Sequence, residues 1–156
     1  MAEVQTKTVP SMAVMSLSFT GSYEQTGEKL DELIGWVLRA GHPYGGAPIG
    51  VYYDEPGKVP DDKLRGEVCV PMAEVCDSGF QMTRKELPAC EVAYAIHQGP
   101  YAQIKPVYEQ IFAWIAENGY QYTAELGCRE VFCKLLGEVD TAEELVTEVQ
   151  VPIKKA

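Results

Sequence analysis

The feature that most constrains this chain is that it repeats itself. Sliding the sequence by about 78 positions lines up two halves: Pro10 falls on Pro88, Val14 on Val92, Gly21 on Gly99, Tyr23 on Tyr101, Gln25 on Gln103, Trp36 on Trp114 and Gly41 on Gly119. The two tryptophans of the chain land on each other. Further along, the offset drifts by two or three residues, as insertions in turns cause, and Glu67-Val68-Cys69-Val70-Pro71 meets Glu148-Val149-Gln150-Val151-Pro152. A duplicated chain folds as two copies of one module, so every reading of one half is tested by the other. Repeat one spans 1–71, a linker 72–79, and repeat two 80–156; together they are read as a single domain.

Each half reads as strand, strand, helix, strand, strand. The opening strands, Glu3 to Val9 and Phe80 to Leu87, are each stopped by a proline, which cannot donate to a central ladder. The second strands, Met12 to Phe19 and Cys90 to His97, are largely apolar and run into the corners Gly21-Ser22-Tyr23 and Gly99-Pro100-Tyr101. Helices follow. Leu30, Leu33, Ile34, Val37 and Leu38 recur at helical spacing in the first, and Ile104, Tyr108, Ile111 and Ile115 in the second. Ser22 with Gln25 predicts a capping box, Gly41 and Gly119 sit where a helix takes a left-handed terminator, and Pro106 sets the second helix start near Lys105. Closing hairpins are expected over Pro48 to Asp54 with Gly66 to Val70, and Leu126 to Leu135 with Val146 to Val151. Thr141-Ala142-Glu143-Glu144 predicts a capped helical turn inside the second connection. The expected fold is α+β: two tandem pseudo-symmetric βαββ-type modules, each with an extra leading strand, in an antiparallel sheet carrying two helices.

Charge narrows the partners. With 13 Lys and Arg against 23 Asp and Glu, a formal net charge of -10, the chain lacks the basic cluster that displaces counterions from nucleic acid. A cationic or a neutral aromatic partner fits better. No apolar run approaches the roughly 20 residues that span a bilayer, and the N-terminus carries no signal-peptide hydrophobic region, so the expected setting is cytoplasmic. The five cysteines form no C-x-x-C pair and only two histidines are present; neither a metal site nor a cofactor is expected. No P-loop, Gly-x-Ser-x-Gly or dinucleotide fingerprint occurs.

Within this frame Glu130 stands out. Period-two alternation places it on one strand face with Cys128 and Phe132, away from Arg129, Val131 and Cys133. The alternative is a wetted strand face on which Glu130 pairs with Lys134. Nine Tyr, four Phe and two Trp supply candidate aromatic walls: Tyr52, on the strand face of Gly50; Phe132, beside Glu130; Tyr94, on the second strand of repeat two; and Tyr108, on the helix face. Trp36 and Trp114, being duplicated, read as core anchors, and Trp114 is also counted among the ligand-binding candidates. For each ring core packing is the competing reading. His97 reads as a hydrogen-bonded corner residue.

The corner Gly99-Pro100-Tyr101, the helix end Trp114-Ile115-Ala116-Glu117-Asn118-Gly119, the strand Cys128-Arg129-Glu130-Val131-Phe132 and the closing Leu145 to Ile153 together resemble the GyrI-like effector-binding family, which includes drug-binding domains appended to MerR-type and AraC-type regulators. The resemblance covers nearly the whole chain. It implies paired βαββ modules around a central cleft for bulky, aromatic and often cationic molecules, and it aligns Glu130 with the family's pocket acid. The mate of Glu130 in repeat one is Gly50, so a carboxylate in one half is expected opposite free space in the other.

Three functions follow from the resemblance: a stand-alone binder of bulky aromatic or cationic small molecules; a hydrolase that opens strained, cyclopropane-bearing substrates, with Glu130 as base and Tyr52 or Tyr94 as proton donor; and an acidic protein-interaction module such as a gyrase inhibitor. The first is the leading expectation. A protein partner remains open, nucleic acid and membrane do not.

Overall fold

A two-residue link between strands makes a tight hairpin through a type I′ or II′ turn, in both of which the first link residue takes positive φ, and proline cannot. Pro10-Ser11 and Pro88-Ala89 therefore direct the chain away from the strand it has just made. The computed structural model, which describes residues 3–41, 45–72, 79, 82–135 and 138–156, shows where it goes. Nine strands and two helices appear among these residues: β1 (Gln5–Val9), β2 (Met12–Thr20), α1 (Thr26–Arg39), β3 (Ile49–Tyr52), β4 (Arg65–Pro71), β5 (Met82–Leu87), β6 (Cys90–Gln98), α2 (Lys105–Glu117), β7 (Tyr120–Tyr122), β8 (Cys128–Lys134) and β9 (Val146–Lys155). Within each of the two units that the chain forms, the strand pairings are antiparallel. The inter-repeat linker lies mostly outside the described residues.

The chain forms two compact units, an N-terminal one over Pro10–Ala89 and a C-terminal one that combines Met1–Val9 with Cys90–Ala156. In the N-terminal unit the strand order is β3-β4-β2-β5, and in the C-terminal unit it is β8-β9-β6-β1. These orders are the same under the repeat, which confirms the duplication at the level of topology. The leading strands, however, are exchanged. β1 pairs with β6, Val9 opposite Cys90, and β5 pairs with β2, Leu87 opposite Met12. The C-terminal unit also carries the short β7, which pairs with the end of β9 at Tyr122 and Ile153; the positions equivalent to it under the repeat lie outside the described residues.

In the N-terminal unit α1 buries Leu30, Leu33 and Val37. Leu38, read as part of the apolar stripe, is 55% exposed because it sits in the last turn, past the sheet-facing sector. In the C-terminal unit α2 lays Val107, Ile111 and Ile115 on Ala93, Ala95, Val149, Val151, Ile153 and Cys128; each large aliphatic side chain so buried contributes about 1.5 to 3 kcal/mol. α2 begins at Lys105 with Pro106 in its first turn, and Gly41 and Gly119 end the helices at φ of 83° and 76°, as their positions predict.

The caps differ from expectation. Ahead of α1 a short 3-10 turn intervenes, so Ser22 Oγ accepts from the Glu24 N–H, and Gln25 donates its side-chain amide to the Ser22 carbonyl, with no reciprocal box. At the second connection Thr141 makes no side-chain cap; Glu144 instead accepts from the Asp140 N–H. At the repeated corners Gly21 and Gly99, φ of 122° and 124°, donate to the carbonyls of Leu64 and Leu145. Only glycine adopts this backbone readily.

Candidate functional site

Strand register decides which side chains share a face. On the side of the C-terminal unit covered by α2, Ala95, Val149 and Glu130 form one row across β6, β9 and β8, and His97, Thr147 and Phe132 form the next. Glu130 thus lies on the same face as Cys128 and Phe132, and the helix above it supplies Tyr108, whose hydroxyl donates to Glu130 Oε2 at 2.5 Å. Such a short O–H···O bond marks a strong, charge-assisted contact. Phe132, 4% exposed, meets the Tyr101 ring edge-on at 5.9 Å.

Burial pushes the Glu130 carboxyl above the usual carboxylate range, and the Tyr108 hydrogen bond pulls it partly back; no basic side chain enters the balance. The pairing with Lys134 is absent among the described ion pairs. Tyr101 is raised in turn, first by its own burial and then by the charges of Glu130 and Glu138. The result is a half-buried acid, compensated by one phenol, between aromatic rings. Ionised, it can hold a cation; protonated, it can donate.

The remaining candidates are placed elsewhere. Tyr94 occupies the other face of the same sheet, opposite Gln5 and Gln150; its hydroxyl donates to Gln5 Oε1 and Lys7 Nζ stands 4.2 Å above its ring. Alternation therefore sets the sheet between Tyr94 and Glu130. Trp114 is half-buried against the α2 core and stacks on Tyr120 at 5.6 Å. Tyr52 belongs to the N-terminal unit, 8% exposed, with its hydroxyl 3.0 Å from Thr26 Oγ1. The space expected at Gly50 is not free: a Cβ there would stand 2.5 Å from the Tyr52 hydroxyl, because the side chain two residues on folds back over the glycine. His97 binds the Pro100 carbonyl at 2.9 Å, as its corner position predicts.

One polar group at the site escaped the sequence reading. Thr147 is fully buried beside Phe132, and its hydroxyl has no hydrogen-bond partner among the described residues. The repeat carried the signal, since its mate is Gly66, in a row with Phe19 and Tyr52. Thr147→Val preserves the shape and removes the buried hydroxyl, so the variant is expected to be more stable by about 1 to 2 kcal/mol, read from the urea midpoint.

A cavity of about 360 Å³ opens nearby, lined by Gln98, Lys134, Glu138, Val139, Glu144 and Val146. The described residues that line it include neither Glu130 nor an aromatic ring. Among the described residues no group of three or more His, Cys, Asp or Glu could hold a metal ion, and no helix is long and apolar enough to cross a membrane.

An antiparallel α+β scaffold with an acid and aromatic rings beneath a helix is compatible with a small-molecule-binding domain. The chain belongs to the GyrI-like small molecule binding domain family, which matches residues 2–154. Among solved structures, the C-terminal domain of EcmrR superposes with a TM-score of 0.89 at 21% identity, covering 99% of both chains. In the EcmrR–DNA complex the same TM-score and identity hold over 99% of this chain, which spans 58% of that EcmrR chain. A hydrolase from Listeria innocua gives 0.69 at 12% identity, over 97% of this chain and 92% of that one, and SAV2435 bound to tetraphenylphosphonium gives 0.63 at 15%, over 97% and 94%. At these identities the likeness is one of fold. No curated protein sequence matches the chain.

Proposed function

We propose that this protein binds bulky aromatic cations, with the Glu130 carboxylate under the positive charge and the rings of Tyr108, Tyr101 and Phe132 around it. The observation that carries the reading is the Glu130 carboxyl itself, desolvated and raised with no base to offset it. A buried acid kept in that state is destabilising unless something else compensates it, and a ligand cation does so directly. The surrounding rings add cation–π and stacking contacts of about 0.5 to 2 kcal/mol each. The formal charge of -10 favours the approach of cations. The tetraphenylphosphonium held by SAV2435, a protein of the same fold, supports the ligand class.

The Tyr108 hydroxyl occupies one oxygen of Glu130, so an incoming cation shares the carboxylate with it or displaces it. The test is a pair of calorimetric titrations. Tetraphenylphosphonium is expected to bind at least about 10-fold more tightly than triphenylphosphine oxide, a neutral molecule of similar shape. Equal affinities, or no binding of either, would remove Glu130 from the role. A second reading, addition of water to a strained ring, is favoured by the same Tyr108–Glu130 pair, with Tyr108 in place of Tyr52 or Tyr94 as the proton donor. Mass spectrometry showing a substrate with one water added would support it.

A further inference from the structure

The two units can be compared position by position, because strand register fixes the equivalences. Gly50 lies opposite Val68 as Glu130 lies opposite Val149, and Tyr52, Gly66 and Phe19 share a row as Phe132, Thr147 and His97 do. Where the C-terminal unit presents an acid, a hydroxyl and an imidazole under its helix, the N-terminal unit presents two glycines and aromatic rings. Those rings fill the space. Tyr52 and Tyr23 lie 4.6 Å apart, Tyr23 meets Phe19 edge-on at 6.4 Å, and a Cβ on Gly66 would stand 3.1 Å from Phe19. The Tyr52 ring covers Gly50 so closely that a Cβ would lie 2.5 Å from its hydroxyl and 2.9 Å from the carbon bearing it. That hydroxyl is held by Thr26 at the start of α1, in the position corresponding to Ile104 ahead of α2.

We propose that the N-terminal unit contains a second, latent aromatic site, equivalent to the one around Glu130, which Tyr52 occupies with its own phenol ring. Its ligand class is the neutral monocyclic phenol. Gly50 supplies no carboxylate for a cation, whereas Thr26 supplies a hydroxyl for a phenol. Tyr52 thereby keeps this site closed to other rings, and shortening Tyr52 opens it. The inference is built from the N-terminal unit and does not rest on what binds at Glu130.

The experiment compares wild type, Tyr52→Phe and Tyr52→Ala by thermal melting with and without p-cresol. Tyr52→Ala is expected to melt lowest and to be raised saturably by p-cresol, while wild type and Tyr52→Phe, whose rings fill the site, show no such rise. Toluene, lacking the hydroxyl for Thr26, is expected to bind Tyr52→Ala about 5-fold more weakly than p-cresol. Should Tyr52→Ala not fold unaided, its refolding yield from urea is measured with and without p-cresol, and recovery by p-cresol is the expected result. The p-cresol response must persist in the Tyr52→Ala/Glu130→Gln double variant. Loss of the response there would place p-cresol at Glu130 and overturn the proposal, as would a Tyr52→Ala response, in melting or refolding, no larger than that of Tyr52→Phe.

Discussion

Glu130→Gln is expected to weaken tetraphenylphosphonium by roughly 5-fold to 150-fold, about 1 to 3 kcal/mol, while triphenylphosphine oxide changes little. The substitution retains the size of the side chain and its contact with the Tyr108 hydroxyl, and removes only the charge. Stability is expected to hold or rise, since an acid desolvated without a basic partner is removed. The pH dependence has a definite sign. Burial raises the folded-state titration of Glu130 above the unfolded one, so between the two the folded chain binds the extra proton and stability falls as pH rises. The contribution is fully present below the ordinary carboxylate range and is lost above the raised folded-state value. Affinity for a cation runs the other way, increasing through the same window as the carboxyl ionises. Glu130→Gln should flatten both curves; isothermal titration and urea unfolding across pH check them. Wild-type affinity that is independent of pH through the acidic range would contradict the assignment.

The second large effect concerns the exchanged leading strands. In the N-terminal unit Lys85 of β5 reaches Glu67 of β4, with its Nζ 2.8 Å from one carboxylate oxygen and 2.9 Å from the other. In the C-terminal unit Lys7 of β1 meets Glu148 of β9 at 2.7 Å. The repeat equates these pairs, so each borrowed strand is tied by the same lysine to the same glutamate. Their surroundings differ. The Glu67 side chain is 5% exposed, with Cys69 Sγ donating to it at 3.5 Å, whereas Glu148 is 14% and Lys7 39% exposed. Lys85→Met strands a buried carboxylate and is expected to cost about 2 to 4 kcal/mol, less than a fully buried pair because Lys85 is itself one-third exposed. Lys7→Met is expected to cost no more than about 1 kcal/mol. Adding Glu67→Gln to Lys85→Met should restore most of the loss, since the neutral amide no longer carries an unpaired charge. Denaturant midpoints of the three variants decide the matter; equal costs for the two lysines would show that burial does not govern these contacts.

How far the residues alone foretell this architecture differs from one feature to the next. The helical stripes, the terminating glycines, the start of α2 at Pro106 and the face shared by Glu130, Cys128 and Phe132 all follow from periods of 3.6 and 2 and from the backbone limits of glycine and proline. Those are short-range properties, set by a residue and its neighbours within one turn or one pleat, and duplication let each be read twice. The prolines after β1 and β5 likewise deny a tight hairpin. Which strand β1 then joins was a matter for tertiary structure, because Gln5 and Tyr94, paired across 89 positions of chain, carry no local mark of each other. The same holds at the site. Tyr108 and Tyr94 were equally good candidates by type, and only the packing of α2 on β8 and the register of β6 with β9 bring one onto Glu130 and set the other behind the sheet. Gly50 read as open space for the same reason: a glycine leaves room, and the fold of the surrounding chain determines that the Tyr52 ring takes it.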